Sequence, residues 1–167
     1  MEIKILEEDF TRDEGHEGGL FEGGPIFVNI QNPLAPVMEG GFSDTGYCHD
    51  AQAVVYNGPD DEHLGKEIII GSNAQHVDIM DVTDKANPIL ISTIVYENTH
   101  YTHQGWLTED HKYFIVGDEL DEAADGINTR SIVLDLTTWI IHNYIMIITV
   151  QHWQLIIMVT LLGTDFI

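Results

Sequence analysis

The triplet Tyr47-Cys48-His49 returns later in the chain as Tyr101-Thr102-His103, with tyrosine and histidine offset alike. A neutral imidazole ligates metals through a ring nitrogen and exchanges a proton near neutral pH. Together with the carboxylate of Asp50, His49 and His103 make a mixed nitrogen and oxygen set suited to a transition metal. The same spacing also fits a structural role, in which each ring bonds a neighbouring loop at one fixed place in a repeated unit. No short-range ligand spacing such as H-x-x-x-H or C-x-x-C accompanies the pair. The structural role is therefore the first expectation and metal ligation the second.

The acidic loop DELDEAADGINT, residues 118–129, offers a second group of donors. Asp118, Asp121, Glu122 and Asp125 carry oxygens of the kind calcium takes. They do not follow the alternate positions of an EF-hand loop, and Thr129 stands where that loop needs its final glutamate. Solvated loop charge is the simpler reading. Cys48 beside His49 has the makings of a thiolate–imidazole pair, but a small residue buried in a strand explains it more simply. It is the only cysteine, so no intrachain disulfide forms. His16, His63, His100 and His111 fall in polar loops and are expected to be solvated. No G-x-S-x-G is present, and the glycine-rich stretch 15–24 is ringed by acids that repel phosphate. No residue is assigned a catalytic role.

The elements that must position these groups read as β-structure. Pro25–Ile30, Ala53–Tyr56, Glu67–Gly71, His76–Val82, Ile89–Tyr96, Tyr113–Gly117 and Ser131–Leu136 are short β-branched or aromatic runs. Turn sequences such as Asn57-Gly58-Pro59-Asp60 and Asp84-Lys85-Ala86-Asn87-Pro88 separate them. No stretch holds a sustained 3.6-residue period with caps. The predicted class is all-β, with Val28, Ile30, Val54, Ile69, Ile79, Val82, Trp106, Ile115 and Leu134 in the interior.

A repeat runs through these elements. VNIQNPLAPVM (28–38), MDVTDKANPIL (80–90) and LDLT (134–137) bring Asn29, Asp81 and Asp135 into one column, and Pro36 and Pro88 into another. Gly71 and Gly117 read as closing matching strands. A unit of about four strands in roughly 54 residues is the mark of a β-propeller blade. About two units are present, fewer than the 4–8 blades that close a ring.

Three segments carry a resemblance: CHDAQAVVYNGPDDEHLGKEIIIGSN (48–73), DIMDVTDKANPILIS (78–92) and YTHQGWLTEDHKYFIVGDELDE (101–122). With FVNIQNPLAPVMEGGFS (27–43) upstream, they resemble the choice-of-anchor B family, whose propeller units are called LVIVD repeats. The likeness covers about Pro25 to Thr137. It implies a bacterial β-propeller, secreted or tethered at the cell surface, with a binding or scaffolding role. It implies no enzymatic activity. The resulting division is an acidic, glycine-rich segment 1–24, propeller blades 25–137 and a non-matching tail 138–167. Two other classes stay open: a metal-dependent hydrolase using the histidine ring, and a membrane-anchored protein.

Charge bounds the partners. The formal net charge is −22, from 28 acidic against 6 basic residues. Nucleic acid is excluded as an expected partner, because phosphate contacts need clustered Lys and Arg. Anionic membrane surfaces are disfavoured for the same reason. Met1–Gly15 lacks the 7–15-residue apolar core of a secretory signal, so an extracellular location rests on the resemblance alone.

Residues 139–167 hold one charge, Asp165. Ile140–Gly163 is long enough to span a bilayer. It contains His142, Asn143, Gln151, His152 and Gln154, and no Lys or Arg flanks it. Residues 138–161, back-translated with one choice of the allowed codons and read one base earlier, give DLDNPQLYYDHNSAALAIDHNGYVI. That restores D-L-D-N-P in step with 84-DKANP-88. It also puts a histidine where Ile157 stands, as far beyond His103 as His103 is beyond His49. The tail is accordingly expected to be a product of a shifted reading frame rather than a membrane span.

Overall fold

The β-branched runs form antiparallel strands stacked as three sheets in the computed structural model, which describes residues 19–139 and the strands Ile3–Lys4 and Tyr144–Thr149. Residues 5–18, with His16 and most of the glycine-rich segment, lie outside the described residues, as does the candidate 140–163 span apart from 144–149. In chain order the strands are β1 (Ile3–Lys4), β2 (Ile26–Asn29), β3 (Val37–Gly41), β4 (Asp50–Val55), β5 (Glu67–Ser72), β6 (Val77–Asp81), β7 (Ile89–Ile94), β8 (Thr102–Leu107), β9 (Tyr113–Asp118), β10 (Arg130–Asp135) and β11 (Tyr144–Thr149). They pair as β1-β2-β3, β4-β5-β6-β7 and β8-β9-β10-β11. The fold is all-β. A single short α-helix, α1 (Asp121–Ala124), interrupts the described residues.

The middle sheet, β4–β7, is apolar on both faces. Ile69, Met80 and Val82 pack with Phe27 and Phe42 from the first sheet and its following loop. Ile68, Ile70, Val77 and Ile79 pack with Leu107, Phe114, Val116, Ile132 and Leu134 of the third sheet. Ile69, Ile70, Ile79 and Met80 are fully inaccessible. A strand buried on both faces needs an unbroken apolar run rather than alternation, and Ile68-Ile69-Ile70 supplies it. Sheets β4–β7 and β8–β11 are also tied by a polar bond: Gln52 Oε1 accepts the Leu107 backbone N–H at 2.7 Å.

Backbone approaches closely in one place. A Cβ built on Gly40 of β3 would lie 1.8 Å from the Lys85 carbonyl oxygen. The turn after β6 thus seats against β3 only because residue 40 has no side chain. Lys85 is itself buried, donating to the Val82 carbonyl at 2.7 Å and to Glu67 Oε2.

The interior differs from expectation in one sheet. Ile69, Ile79, Val82 and Leu134 are buried, and Val28, Ile30 and Val54 are half-buried. Trp106 is 46% exposed and Ile115 only half-buried. The reason is register. Leu107 faces Phe114 and Phe114 faces Leu134, which puts these three on the face turned to the middle sheet. Trp106, Ile115 and Val133 share the opposite face. Gly71 is therefore not the counterpart of Gly117. Asp50 stands opposite Ser72, and Gln104, its equivalent one repeat on, stands opposite Gly117. A one-residue slip of this kind exchanges every inward side chain for an outward one.

The tail begins inside the fold. Trp139 is 2% exposed, stacks on His63 (centroids 4.5 Å, 12°), meets Tyr56 edge-on at 4.4 Å and donates Nε1–H to the Leu136 carbonyl at 2.7 Å. Strand β11 pairs antiparallel with β10.

The connections also carry buried polar anchors. Asp78 is fully buried and accepts from Asn73 Nδ2 at 2.8 Å and Thr93 Oγ1 at 2.6 Å. Burial pushes its carboxyl up, but hydrogen bonds from His76, Thr45 and Thr93 outweigh burial and hold it below the ordinary aspartate value of 3.8. A carboxyl depressed in the folded state stabilises the protein above its unfolded value, and that contribution is lost as pH falls through the folded value. The melting temperature is expected to stay level down to about pH 4 and to fall below it. In Asp78→Asn the acid decline should be shallower. An unchanged decline would assign the acid sensitivity to other carboxylates.

Candidate functional site

The two Tyr-x-His triplets meet. His49 and His103 precede Asp50 and Gln104, the residues opposite Ser72 and Gly117. Their strands, β4 and β8, are neighbours, so the rings converge with centroids 4.6 Å apart and planes at 32°. A β-bulge between Thr102 and Gln104 leaves His103 out of the ladder, which re-aims its side chain. His49 Nδ1 lies 2.7 Å from the Tyr47 hydroxyl and 3.2 Å from the Tyr101 hydroxyl, within hydrogen-bond reach of both. His103 Nε2 stands 3.7 Å from Glu119 Oε2, while its Nδ1 is buried without a hydrogen-bond partner among the described residues. The cluster is half-buried apart from the exposed Glu119. It joins two phenols, two imidazoles and one carboxylate, a surface able to donate and accept hydrogen bonds and to stack.

The Asp118–Asp125 loop is arranged differently from a solvated loop. Asp118 and Asp121 are completely inaccessible, and both face Arg130. Asp121 accepts Arg130 Nε–H at 2.9 Å, the Nη2 group at 2.6 Å and the Arg130 backbone N–H at 2.8 Å. Asp118 accepts the Tyr96 hydroxyl and the backbone N–H of His100, each at 3.0 Å, and the Tyr101 N–H at 2.9 Å. The hydrogen bond to Asp121 holds the Arg130 guanidinium above its ordinary value. Burial, reinforced by the Asp118 charge, pushes the Tyr96 hydroxyl far up. Arg130 also donates to the carbonyls of Glu97 and Asn98. The network therefore clamps the β7–β8 connection, and with it Tyr101 and His103, onto the third sheet. Glu122 accepts from the Thr129 backbone N–H at 2.9 Å and from its hydroxyl. Asp125 lies 2.9 Å from His100 Nε2.

These four acids thus face an arginine, a threonine and a histidine rather than a common centre. Among the described residues no group of three or more His, Cys, Asp or Glu side chains is placed to hold a metal ion. Asp50 is half-buried at the start of β4. Cys48 is buried, its Sγ–H directed to the Asp50 carbonyl at 3.4 Å.

Among the described loop histidines, His63 is buried and His100 and His111 are half-buried. His63 is buried between Trp139 and Asp60, and His111 Nδ1 accepts the Asn57 N–H at 3.1 Å. Burial holds the His111 imidazole below its ordinary value. Sequence reasoning missed Arg130 and Trp139. The signal for Arg130 was available: it is one of six basic residues in a strongly acidic chain, and it follows closely on Asp121. Among the described residues no helix is long and apolar enough to cross a membrane.

His49→Ala leaves two tyrosine hydroxyls without their nitrogen and is expected to cost about 1–3 kcal/mol. Melts in the presence and absence of chelator separate the roles. Equal loss in both conditions fits hydrogen bonding, and a loss confined to metal-containing buffer fits ligation. No family model and no curated protein matches this chain.

Proposed function

We propose that this chain is a segment of an extracellular or cell-surface β-propeller with a non-catalytic binding or scaffolding role, of the choice-of-anchor B kind that its sequence resembles. One observation carries the reading: the spacing of the Tyr-x-His triplets recurs in the strand registers. Ala53 faces Ile69, which faces Met80; one repeat later, Leu107 and Leu134 take the places of Ala53 and Met80, and both face Phe114. Successive four-stranded sheets with like faces turned the same way support consecutive blades about one axis. The inner strands of such blades are β4 and β8, and the Tyr47, His49, Tyr101 and His103 cluster sits where both begin. That cluster is the proposed contact point for an extracellular ligand. Its groups are bonded to one another, which suits recognition better than catalysis.

The test is the coding DNA on either side. An upstream secretory signal and further in-frame copies of the repeat are expected. The frame one base earlier should read through residues 138–161 as D-L-D-N-P and onward. Flanks that encode neither a signal nor a repeat would sink the proposal.

A further inference from the structure

We propose that Asn57-Gly58, in the β4–β5 connection, is a site of spontaneous covalent modification, at which the asparagine side chain closes onto the glycine nitrogen and reopens as aspartate and isoaspartate. The inference stands apart from the propeller reading above. The reaction needs an amide carbon and a following backbone nitrogen that are free to meet. Asn57 is exposed, and among the described residues neither its side-chain amide nor the Gly58 N–H has a hydrogen-bond partner. The fold also dictates glycine at this point. A Cβ on residue 58 would lie 2.4 Å from the Tyr56 hydroxyl oxygen and 2.7 Å from the His111 carbonyl oxygen. The residue that packing demands is thus the one that shields its own nitrogen least. The chain supplies its own contrast. In Asp125-Gly126, the Gly126 N–H is donated to the Glu122 carbonyl at 3.1 Å, and Asp125 Oδ2 lies 2.9 Å from His100 Nε2. Asn32 and Asn87 precede prolines, which have no N–H to give up.

The Gly58 nitrogen gives its proton to hydroxide and attacks Asn57 Cγ. An N–Cγ bond forms, the Cγ–Nδ2 bond breaks, and Nδ2 takes a proton from water and leaves as ammonia. Water then opens the cyclic imide. Cleavage of the N–Cγ bond gives an ordinary aspartate. Cleavage of the bond from the same nitrogen to the backbone carbonyl carbon gives isoaspartate, with Cβ and Cγ in the main chain. Both products add a negative charge to a connection that already holds Asp60, Asp61 and Glu62. Isoaspartate also lengthens the main chain by an atom, within a pinned span. The Tyr56 hydroxyl oxygen accepts the Asp60 N–H at 3.2 Å, the Tyr56 carbonyl accepts the Gly65 N–H at 2.9 Å, and His111 Nδ1 accepts the Asn57 N–H at 3.1 Å. The Tyr56 ring in turn packs on Trp139. The modification therefore strains the anchors of that aromatic contact, and the modified chain melts lower.

The test is ageing of the folded full chain in mildly alkaline buffer, beside a sample aged in denaturant. Peptide mapping then separates the amide, aspartyl and isoaspartyl forms. In the folded chain, conversion at Asn57 is expected to run at least about tenfold faster than at the other described asparagines, since only glycine puts no Cβ beside the attacking nitrogen. Asp125 is expected to isomerise in denaturant and to stay an ordinary aspartate in the fold. The aged parent should melt lower than fresh protein. Aged Asn57→Gln should not, because glutamine must close a larger, slower-forming ring. An Asn57 that converts in denaturant but keeps its amide in the folded chain would overturn the proposal, as would conversion no faster than at the other asparagines. Converted protein that melts like fresh protein would overturn the strain assigned to Tyr56.

Discussion

Arg130→Met is expected to be the most damaging single change in the third sheet, lowering stability by about 3–5 kcal/mol. Asp118 and Asp121 have no solvent contact, and Arg130 is the cation between them. Its removal leaves two buried carboxylates with fewer donors and no nearby cation, and desolvation then acts uncompensated. The melting temperature should fall by on the order of 10 °C. A double-mutant cycle with Asp121→Asn checks the cause. If the charge pair is responsible, the double variant is more stable than the two single losses would predict together. A loss below about 1 kcal/mol for Arg130→Met would mean that backbone donors alone hold Asp118 and Asp121.

Trp139→Ala is expected to cost a similar amount, about 3–5 kcal/mol. The indole fills the space between Tyr56 and His63 and closes the base of the two larger sheets. Chemical denaturation of the purified chain reads the effect. Trp139→Leu is a sharper variant, because leucine is the residue that the proposed shifted frame would place there. A leucine that restores most of the stability fits a site first occupied by leucine. A leucine as damaging as alanine shows a pocket shaped to the indole. A Trp139→Ala variant as stable as the parent would put residue 139 outside the cooperative fold.

How far the sequence led depends on which force decided each element. Strands rich in isoleucine and valine were legible because propensity and burial agree there: Glu67–Ser72 and Ile89–Ile94 start where expected and end close to expectation. Val37–Gly41 and Thr102–Leu107 were not, since glycine and polar residues interrupt VMEGG and THQGWL, which are held by their neighbours' ladders. The pairing of His49 with His103 was legible as a spacing. The phenol bonds that organise it depend on two chain segments meeting, which no local pattern records. The inward faces of the third sheet were misread because Gly71 and Gly117 look alike in sequence, whereas the registers match Ser72 to Gly117. Short apolar runs fix the existence of a strand more firmly than its phase. The acidic loop read as solvated because its cation, Arg130, lies beyond it on another strand.

In each of the two four-stranded sheets, spatial order follows chain order, β4 to β7 and then β8 to β11. Every ladder is thus a hairpin between consecutive strands, and no strand must wait for a distant partner. The loop-closure entropy of each step is small for a β-protein. A ribosome releasing this chain from its N-terminus would deliver complete sheets one after another, each finished before the next is synthesised. The middle sheet would stand ready as a template when Tyr101 and His103 emerge, and Arg130, arriving later, would lock the connection that carries them.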